Sequence, residues 1–329
     1  MTASPTTCLV TGGAGFIGSH IVRRLLADGH QVKVIDNLLT GSRDNLTEIA
    51  GRIEFIEGDI RFPADCDRAC AGVDAIFHLA ALPSVPRSIQ DPVGCNDHNV
   101  NGTIQLLEAA RRAKARRVVF SSSSSVYGDT DVLPKVETME PLCRSPYATA
   151  KLAGEQYVLA YARAGLIEGV ALRYFNVFGP RQSPTSAYAA VIPVFLKAAA
   201  TGGTATVFGD GEQTRDFTYI ENVVNANMAA AFGPSGKVNG WVTNAGAGSR
   251  ISLNDLLGLV EKVTGRAVTR NYGPPRAGDV RDSQASLIRA AAVLGYQPTV
   301  DVEEGLRRTW AWFSQAHDAG SPSPARAAR

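Results

Sequence analysis

The chain has almost no net charge. Its 329 residues carry 33 lysines and arginines against 31 aspartates and glutamates, a formal charge of +2. That leaves no basic field of the kind that holds nucleic acid, and the one short basic run, ARRAKARR at 110–117, reads as a solvated helix end. Cysteine is scarce and odd in number, with five residues: Cys8, Cys66, Cys70, Cys95 and Cys143. No C-x-x-C pair or Cys/His cluster has zinc spacing, and Cys66 and Cys70, four apart, mark one face of a helix. The five histidines, His20, His30, His78, His98 and His317, do not cluster either. Long apolar runs are missing: no stretch approaches the ~18 residues of a membrane span. The start, MTASPTTCLVTGG, lacks the charged and apolar regions of a signal peptide. Together these absences give the expectation of a reduced, cytoplasmic protein with no metal, no nucleic-acid partner and no membrane span.

What is present is a globular composition, 45% apolar, in a chain long enough for a large α/β core. Short apolar runs alternate with helical patterns through the first half. TCLVTG, QVKVIDN, IEFIEGD, DAIFHLAA, RRVVFSSS and GVALRYFNVFG read as strands. GFIGSHIVRRLLADG, NVNGTIQLLEAARRA and SPYATAKLAGEQYVLAYARA read as helices. The alternation, with strands that are continuous apolar runs, predicts a Rossmann-type doubly wound parallel sheet with helices on both faces. After Gly179 the texture turns to Pro- and Gly-rich loops between shorter helices, which predicts a smaller α/β lobe. The boundaries expected are a dinucleotide-binding domain at 1–178, with 217–248 returning to it. The lobe takes 179–216 and 249–318, and 319–329 forms a disordered tail.

TCLVTGGAGFIGSH places Gly12, Gly15 and Gly18 at a strand-to-helix turn. Small residues there let the backbone approach a pyrophosphate, and the helix N-terminus supplies N–H groups and a positive dipole end. Asp36 ends the next strand, where a carboxylate accepts from ribose hydroxyls and repels a 2′-phosphate, which favours NAD over NADP. Arg43, close downstream, weakens that discrimination, and the other reading of Asp36 is a turn cap. Asn37 follows it, and Asp59 and Ile60 end the third strand at the expected adenine edge. FSSSSSVYGDT, at 120–130, has the composition of a linker, yet it continues a strand directly. In SPYATAK, Tyr147 and Lys151 stand four apart and so share a helix face. A lysine ammonium beside the phenol, with an oxidised nicotinamide, stabilises phenolate. Moving a tyrosine from about 10 toward 7 takes roughly 4 kcal/mol.

TGGAGFIGSH, FSSSSSVYG, SPYATAK and RYFNVFGPRQ together resemble the extended short-chain dehydrogenase/reductases. The closer likeness is to nucleotide-sugar 4-epimerases of the UDP-glucose/UDP-N-acetylglucosamine type, from about Leu9 to Phe313. The resemblance implies Ser123 on the sugar O4, Tyr147 as base and Lys151 as its partner, with Ser122 and Ser124 left open by one residue of register. It implies a cofactor site of Gly12, Gly15, Phe16, Ile17, Asp36, Asn37, Asp59, Ile60, Ala80, Ala81, Tyr147, Lys151 and Tyr174. It implies substrate contacts at Ser84, Ser123, Ser124, Asn176, Val191, Arg215, Arg276, Asp279 and Ser283, with the two arginines on the diphosphate. NAD is the cofactor implied, a UDP-sugar the substrate, and a homodimer formed by pairing helices the assembly.

Family members that dehydrate a sugar carry Asp-Glu where this chain has Ser124 and Ser125, and those that decarboxylate a uronate carry Glu. Serine cannot serve as a general acid or base of that strength at neutral pH. Oxidation at C4 and return of the hydride, an epimerisation, is the reaction left. Ser283 stands where a bulky tyrosine narrows the pocket of some UDP-galactose epimerases, which implies room for a 2-N-acetyl group. The expected substrates are therefore UDP-GlcNAc/UDP-GalNAc together with UDP-Glc/UDP-Gal. A UDP-glucuronate 4-epimerase, a 4-epimerase of another nucleotide sugar, a net oxidoreductase and a non-enzymatic NAD-binding regulator stay open.

Overall fold

The computed structural model describes residues 5–183, 190–274 and 280–318. Six strands are built from the first half: β1 (Thr7–Thr11), β2 (Gln31–Asp36), β3 (Ile53–Glu57), β4 (Ala75–His78), β5 (Arg117–Ser123) and β6 (Glu168–Tyr174). With Val242–Ala245 they form a seven-stranded sheet in the order Val242–Ala245, β6, β5, β4, β1, β2, β3. Every pairing in it is parallel. This is the doubly wound arrangement read from the apolar runs, with the order reversing beside β1.

Helices cover both faces, so alternate residues of one strand feed two separate cores. Cys8 and Val10 of β1 face a layer that includes α1 (Phe16–Ala27) and the helix Ile220–Phe232. Leu9 faces the opposite layer, with α2 (Pro63–Cys70), α5 (Gly102–Arg112) and α6 (Pro146–Arg163). Cys66 and Cys70 sit together on the buried face of α2. Between β4 and α5 lie two short helices, α3 (Val85–Gln90) and α4 (Pro92–Asn96), and a π-turn at Asp97–Asn101. Helix α6 starts sharply because Ser145 caps it, accepting from the Ala148 N–H at 3.2 Å, and Pro146 occupies the first turn.

The later chain adds small sheets. Thr204–Phe208 pairs in parallel with Thr269–Gly273, and Thr214–Arg215 pairs antiparallel with Ile251–Ser252. The chain then returns: Ile220–Phe232 packs on α1, and Val242–Ala245 adds the edge strand beside β6. Lys135 joins this part too, its N–H donating to Gln284 O at 2.7 Å while its carbonyl accepts from the Ser286 N–H at 2.9 Å.

Candidate active site

A cleft of about 710 Å³ opens at the carboxyl ends of β1, β2, β4, β5 and β6. That is the crevice where open α/β sheets hold ligands. Its dinucleotide half is shaped by missing side chains. Gly12 has φ +68°, and a Cβ there would meet Ala80 N at 2.8 Å. A Cβ on Gly18 would meet Gly12 O at 2.2 Å, so the turn closes only with glycine at this point. Gly15 precedes α1 and offers no capping side chain, and Gly15, Phe16 and Ile17 line the cleft. The helix N-terminus is thereby left open to an anion.

Asp36 does two jobs. Its carboxylate accepts from the Ala14 N–H at 3.0 Å and the Leu38 N–H at 2.8 Å, bracing the glycine turn, and it also lines the cleft. Burial raises its pKa. Asn37 donates to Asp59 at 2.9 Å, joining two of the expected cofactor residues. Burial alone would raise the Asp59 pKa, but the Arg61 guanidinium and the Arg61 N–H outweigh it and hold the carboxyl down at about 2. Arg43 donates to Glu57 at 2.7 Å and lies over the Phe55 ring. Ile60, Ala80, Ala81 and Tyr174 complete this wall, and Tyr174 is fixed by donating to Asn227 at 2.9 Å. The donor set and the glycine cradle fit a dinucleotide with free ribose hydroxyls.

At the carboxyl end of β5 the five serines separate into distinct roles. Ser122 lines the cleft, but its hydroxyl is taken up in donating to buried Glu155 at 2.7 Å. Ser123 Oγ lies at the cleft beside Tyr147 and accepts from Ser125 Oγ at 2.9 Å. Ser124 begins a short 3-10 turn and lines the cleft. Lys151, buried, donates its ammonium to Ser121 O at 2.7 Å. The lysine is expected to lower the phenol together with an oxidised nicotinamide; in the protein alone the surroundings act the other way. Burial pushes Tyr147 up to about 12, offset only in part by Ser123. Burial also brings Lys151 down to about 8. The ammonium is turned to a carbonyl rather than to the phenol, which is the physical reason.

Of the expected substrate residues, Ser84, Ser123, Ser124, Asn176, Arg215 and Ser283 line the same cleft. Ser84 does so with φ 112°, an unusual backbone for serine, while its Oγ accepts from the Arg87 N–H at 3.3 Å. Val191 opens the helix Val191–Thr201 with its side chain packed against the core, and its neighbour Ala190 lines the cleft. Arg276 and Asp279 lie outside the described residues. Ser283 Oγ is buried with no hydrogen-bond partner. The sequence reading missed Arg87, His98, Lys135 and Arg144, all of which line the cleft. His98 sits in the π-turn with its Nδ1 2.8 Å from Gly94 O, and its buried Nε2 has no partner.

Residues 8–246 match the model of the NAD dependent epimerase/dehydratase family. A UDP-glucose 4-epimerase of Mycolicibacterium smegmatis is 42% identical over 310 residues, covering 93% of this chain and 97% of the relative. The solved UDP-N-acetylglucosamine 4-epimerase from Methanobrevibacter ruminantium M1, in complex with UDP-N-acetylmuramic acid, is 37% identical with a TM-score of 0.89, covering 95% of this chain and 99% of that one. The UDP-glucose 4-epimerase of Thermotoga maritima with UDP-glucose gives 37% and 0.89, covering 94% and 99%. A glycine cradle, a strand-end carboxylate and a Tyr-x-x-x-Lys helix in this order, matched along the sheet by that model, mean that the chain belongs to the NAD-dependent epimerase/dehydratase family of extended short-chain dehydrogenase/reductases, with NAD as its cofactor.

Proposed function

We propose that the protein is a UDP-sugar 4-epimerase that interconverts UDP-GlcNAc with UDP-GalNAc and UDP-Glc with UDP-Gal. One observation carries the reading. Among the described residues lining the cleft, the only carboxylates are Asp36 and Asp59, both in the dinucleotide half. Dehydration needs an acid and a base beside C5 and C6, and Ser124 and Ser125 supply hydroxyls there. The nearest buried carboxylate on α6, Glu155, is locked by Ser122 and Arg173. What remains is proton transfer at a single hydroxyl.

Tyr147 takes the O4 proton, holds it on its phenol oxygen and returns it to the inverted product. Ser123 positions that hydroxyl. When bound, NAD would supply a reversible hydride acceptor for C4 and, in its oxidised ring, a positive charge that Lys151 alone does not provide. Arg215, with Arg276, holds the diphosphate, so that the sugar can present either face to Tyr147. Arg215 and Ser283 come from the segments 179–216 and 249–318, which we assign to the substrate lobe. Ser283 supports the larger sugar: it is small, faces the cleft and keeps a buried hydroxyl unpaired. A buried polar group without a partner calls for one in the loaded state.

A uronate is the second reading, and one observation favours it: the nearly buried Lys135 ammonium, bonded to Thr130 O, lines the same cleft. The test is incubation of purified protein, without added NAD, with UDP-Glc, UDP-GlcNAc and UDP-GlcA separately, products being read by NMR. UDP-GalNAc from UDP-GlcNAc is the expected result. Turnover of UDP-Glc alone sinks the open-pocket argument, and turnover of UDP-GlcA alone establishes the second reading. We further propose a homodimer through the α3–α4–α6 face, where Ile89, Val93 and Tyr157 are exposed. Light scattering at the single-chain mass would refute it.

A further inference from the structure

Tyr147, Lys151 and Glu155 recur every four residues on α6 and so share one face of it. The first two line the cleft, whereas Glu155 is fully buried and does not. Its carboxylate accepts from Ser122 Oγ at 2.7 Å, from Arg173 Nε at 3.0 Å and from Arg173 Nη2 at 2.7 Å. Ser122 and Arg173 are themselves opposite one another across β5 and β6. One carboxylate therefore fastens the helix to two strands. The contacts run on: the Arg173 guanidinium lies 4.7 Å from the Tyr127 ring centroid, and Tyr127 donates to Asn244 on the edge strand at 2.6 Å.

A buried ion pair is a poor route to stability, since an apolar pair of similar volume often does as well or better. What the pair supplies is register. Three consecutive serines meet three successive turns of α6: Ser123 against Tyr147, Ser121 against Lys151 and Ser122 against Glu155. A slip of one residue in β5 would turn Ser123 away from the cleft. We propose that Glu155, acting through Ser122 and Arg173, is a positioning residue for the proton-transfer step. It holds the end of β5 against α6 so that Ser123 and Tyr147 reach the same sugar hydroxyl. The proposal rests on the reading of Ser123 and Tyr147 as the reacting pair, and not on which sugar is bound.

The test replaces charge by apolar volume, Glu155→Leu with Arg173→Met, and separately removes one hydroxyl, Ser122→Ala. Each is assayed with whichever UDP-sugar the wild type turns over. The expected result is a melting temperature close to wild type, an unchanged NAD content, KM within about twofold and kcat down about tenfold or more, as misplacement of reacting groups by an ångström predicts. Ser122→Thr, which restores the hydroxyl, recovers the rate. Absorbance at 340 nm rises during turnover in the slowed variants, because a misplaced proton donor strands the oxidised sugar. A wild-type kcat in Ser122→Ala overturns the proposal, as does a loss of rate that only tracks lost NAD or lost fold. If the double variant fails to fold, Ser122→Ala decides alone. Tyr147→Phe separates the two readings: full activity there sinks the reacting pair itself, whereas an inactive Tyr147→Phe beside a normal Ser122→Ala sinks only the positioning.

Discussion

Tyr147 answers two opposed demands. As the proposed base it must give up a proton near neutral pH, yet burial pushes the phenol up to about 12. Closing that gap takes about 7 kcal/mol, and Lys151, turned to Ser121 O, contributes little of it in the protein alone. The cationic ring of the cofactor is the remaining source, which ties proton transfer to loading. Tyr147→Phe keeps the ring and its packing and removes only the hydroxyl. Activity should fall at least a thousandfold while NAD stays bound, as expected for loss of a general base. A loss under tenfold, measured on protein with full NAD content, would mean the base is another group. At this scale the readable residues were those whose partners are close in sequence: Tyr147 with Lys151, and the glycines with one another. Lys135 was not readable, because its place in the cleft is set by Gln284 and Ser286, about 150 positions away. The serine run gave the strand end but not the division of labour, since Ser122 is claimed by a carboxylate on another element.

Elements were legible where a period had room to show. The central strands β1 and β4 are near-continuous apolar runs because helices cover both faces, and α1, α5 and α6 are long enough to carry a 3.6-residue pattern. The helices α3 and α4, six and five residues long, are too short for any period and went unseen. Yet α3 delivers Arg87 to the cleft, and its N-cap is Ser84, which lines it too. The glycine turn between β1 and α1 is the element most tightly specified by sequence. Gly18→Ala places a Cβ 2.2 Å from Gly12 O, so the turn must open. The expected outcome is a folded protein that purifies with little NAD, because the helix N-terminus no longer meets the pyrophosphate. Gly51→Ala, at an exposed position where a Cβ meets nothing, should retain it and serves as the control. Equal NAD content in both variants, read by absorbance after denaturation, would refute the turn's role.

The whole molecule carries one titrating group that sequence gave only as a strand-end histidine. His78 ends β4 and lies buried between Thr11 Oγ1 at 2.8 Å and Thr103 Oγ1 at 2.9 Å, bridging β1 and α5 across the sheet. Nothing local in AIFHLAA announces that bridge, because its partners come 67 residues earlier and 25 later. Burial lowers its pKa from 6.5 to about 3, with Lys151 adding to the shift. The sign follows from proton counting. Above pH 6.5 both folded and unfolded chains leave this imidazole neutral, so it costs nothing. As pH falls from 6.5 toward about 3, the unfolded chain binds a proton that the folded one refuses, and stability drops. Between pH 7 and 5 the loss from this group is about 2 kcal/mol. His78→Gln can still bridge two hydroxyls but does not titrate. Its unfolding free energy, from urea curves, should therefore decline less steeply than wild type over that interval, by about 2 kcal/mol. Parallel curves for the two proteins would mean that His78 becomes protonated in the folded state, and that the sheet can open far enough to hydrate it.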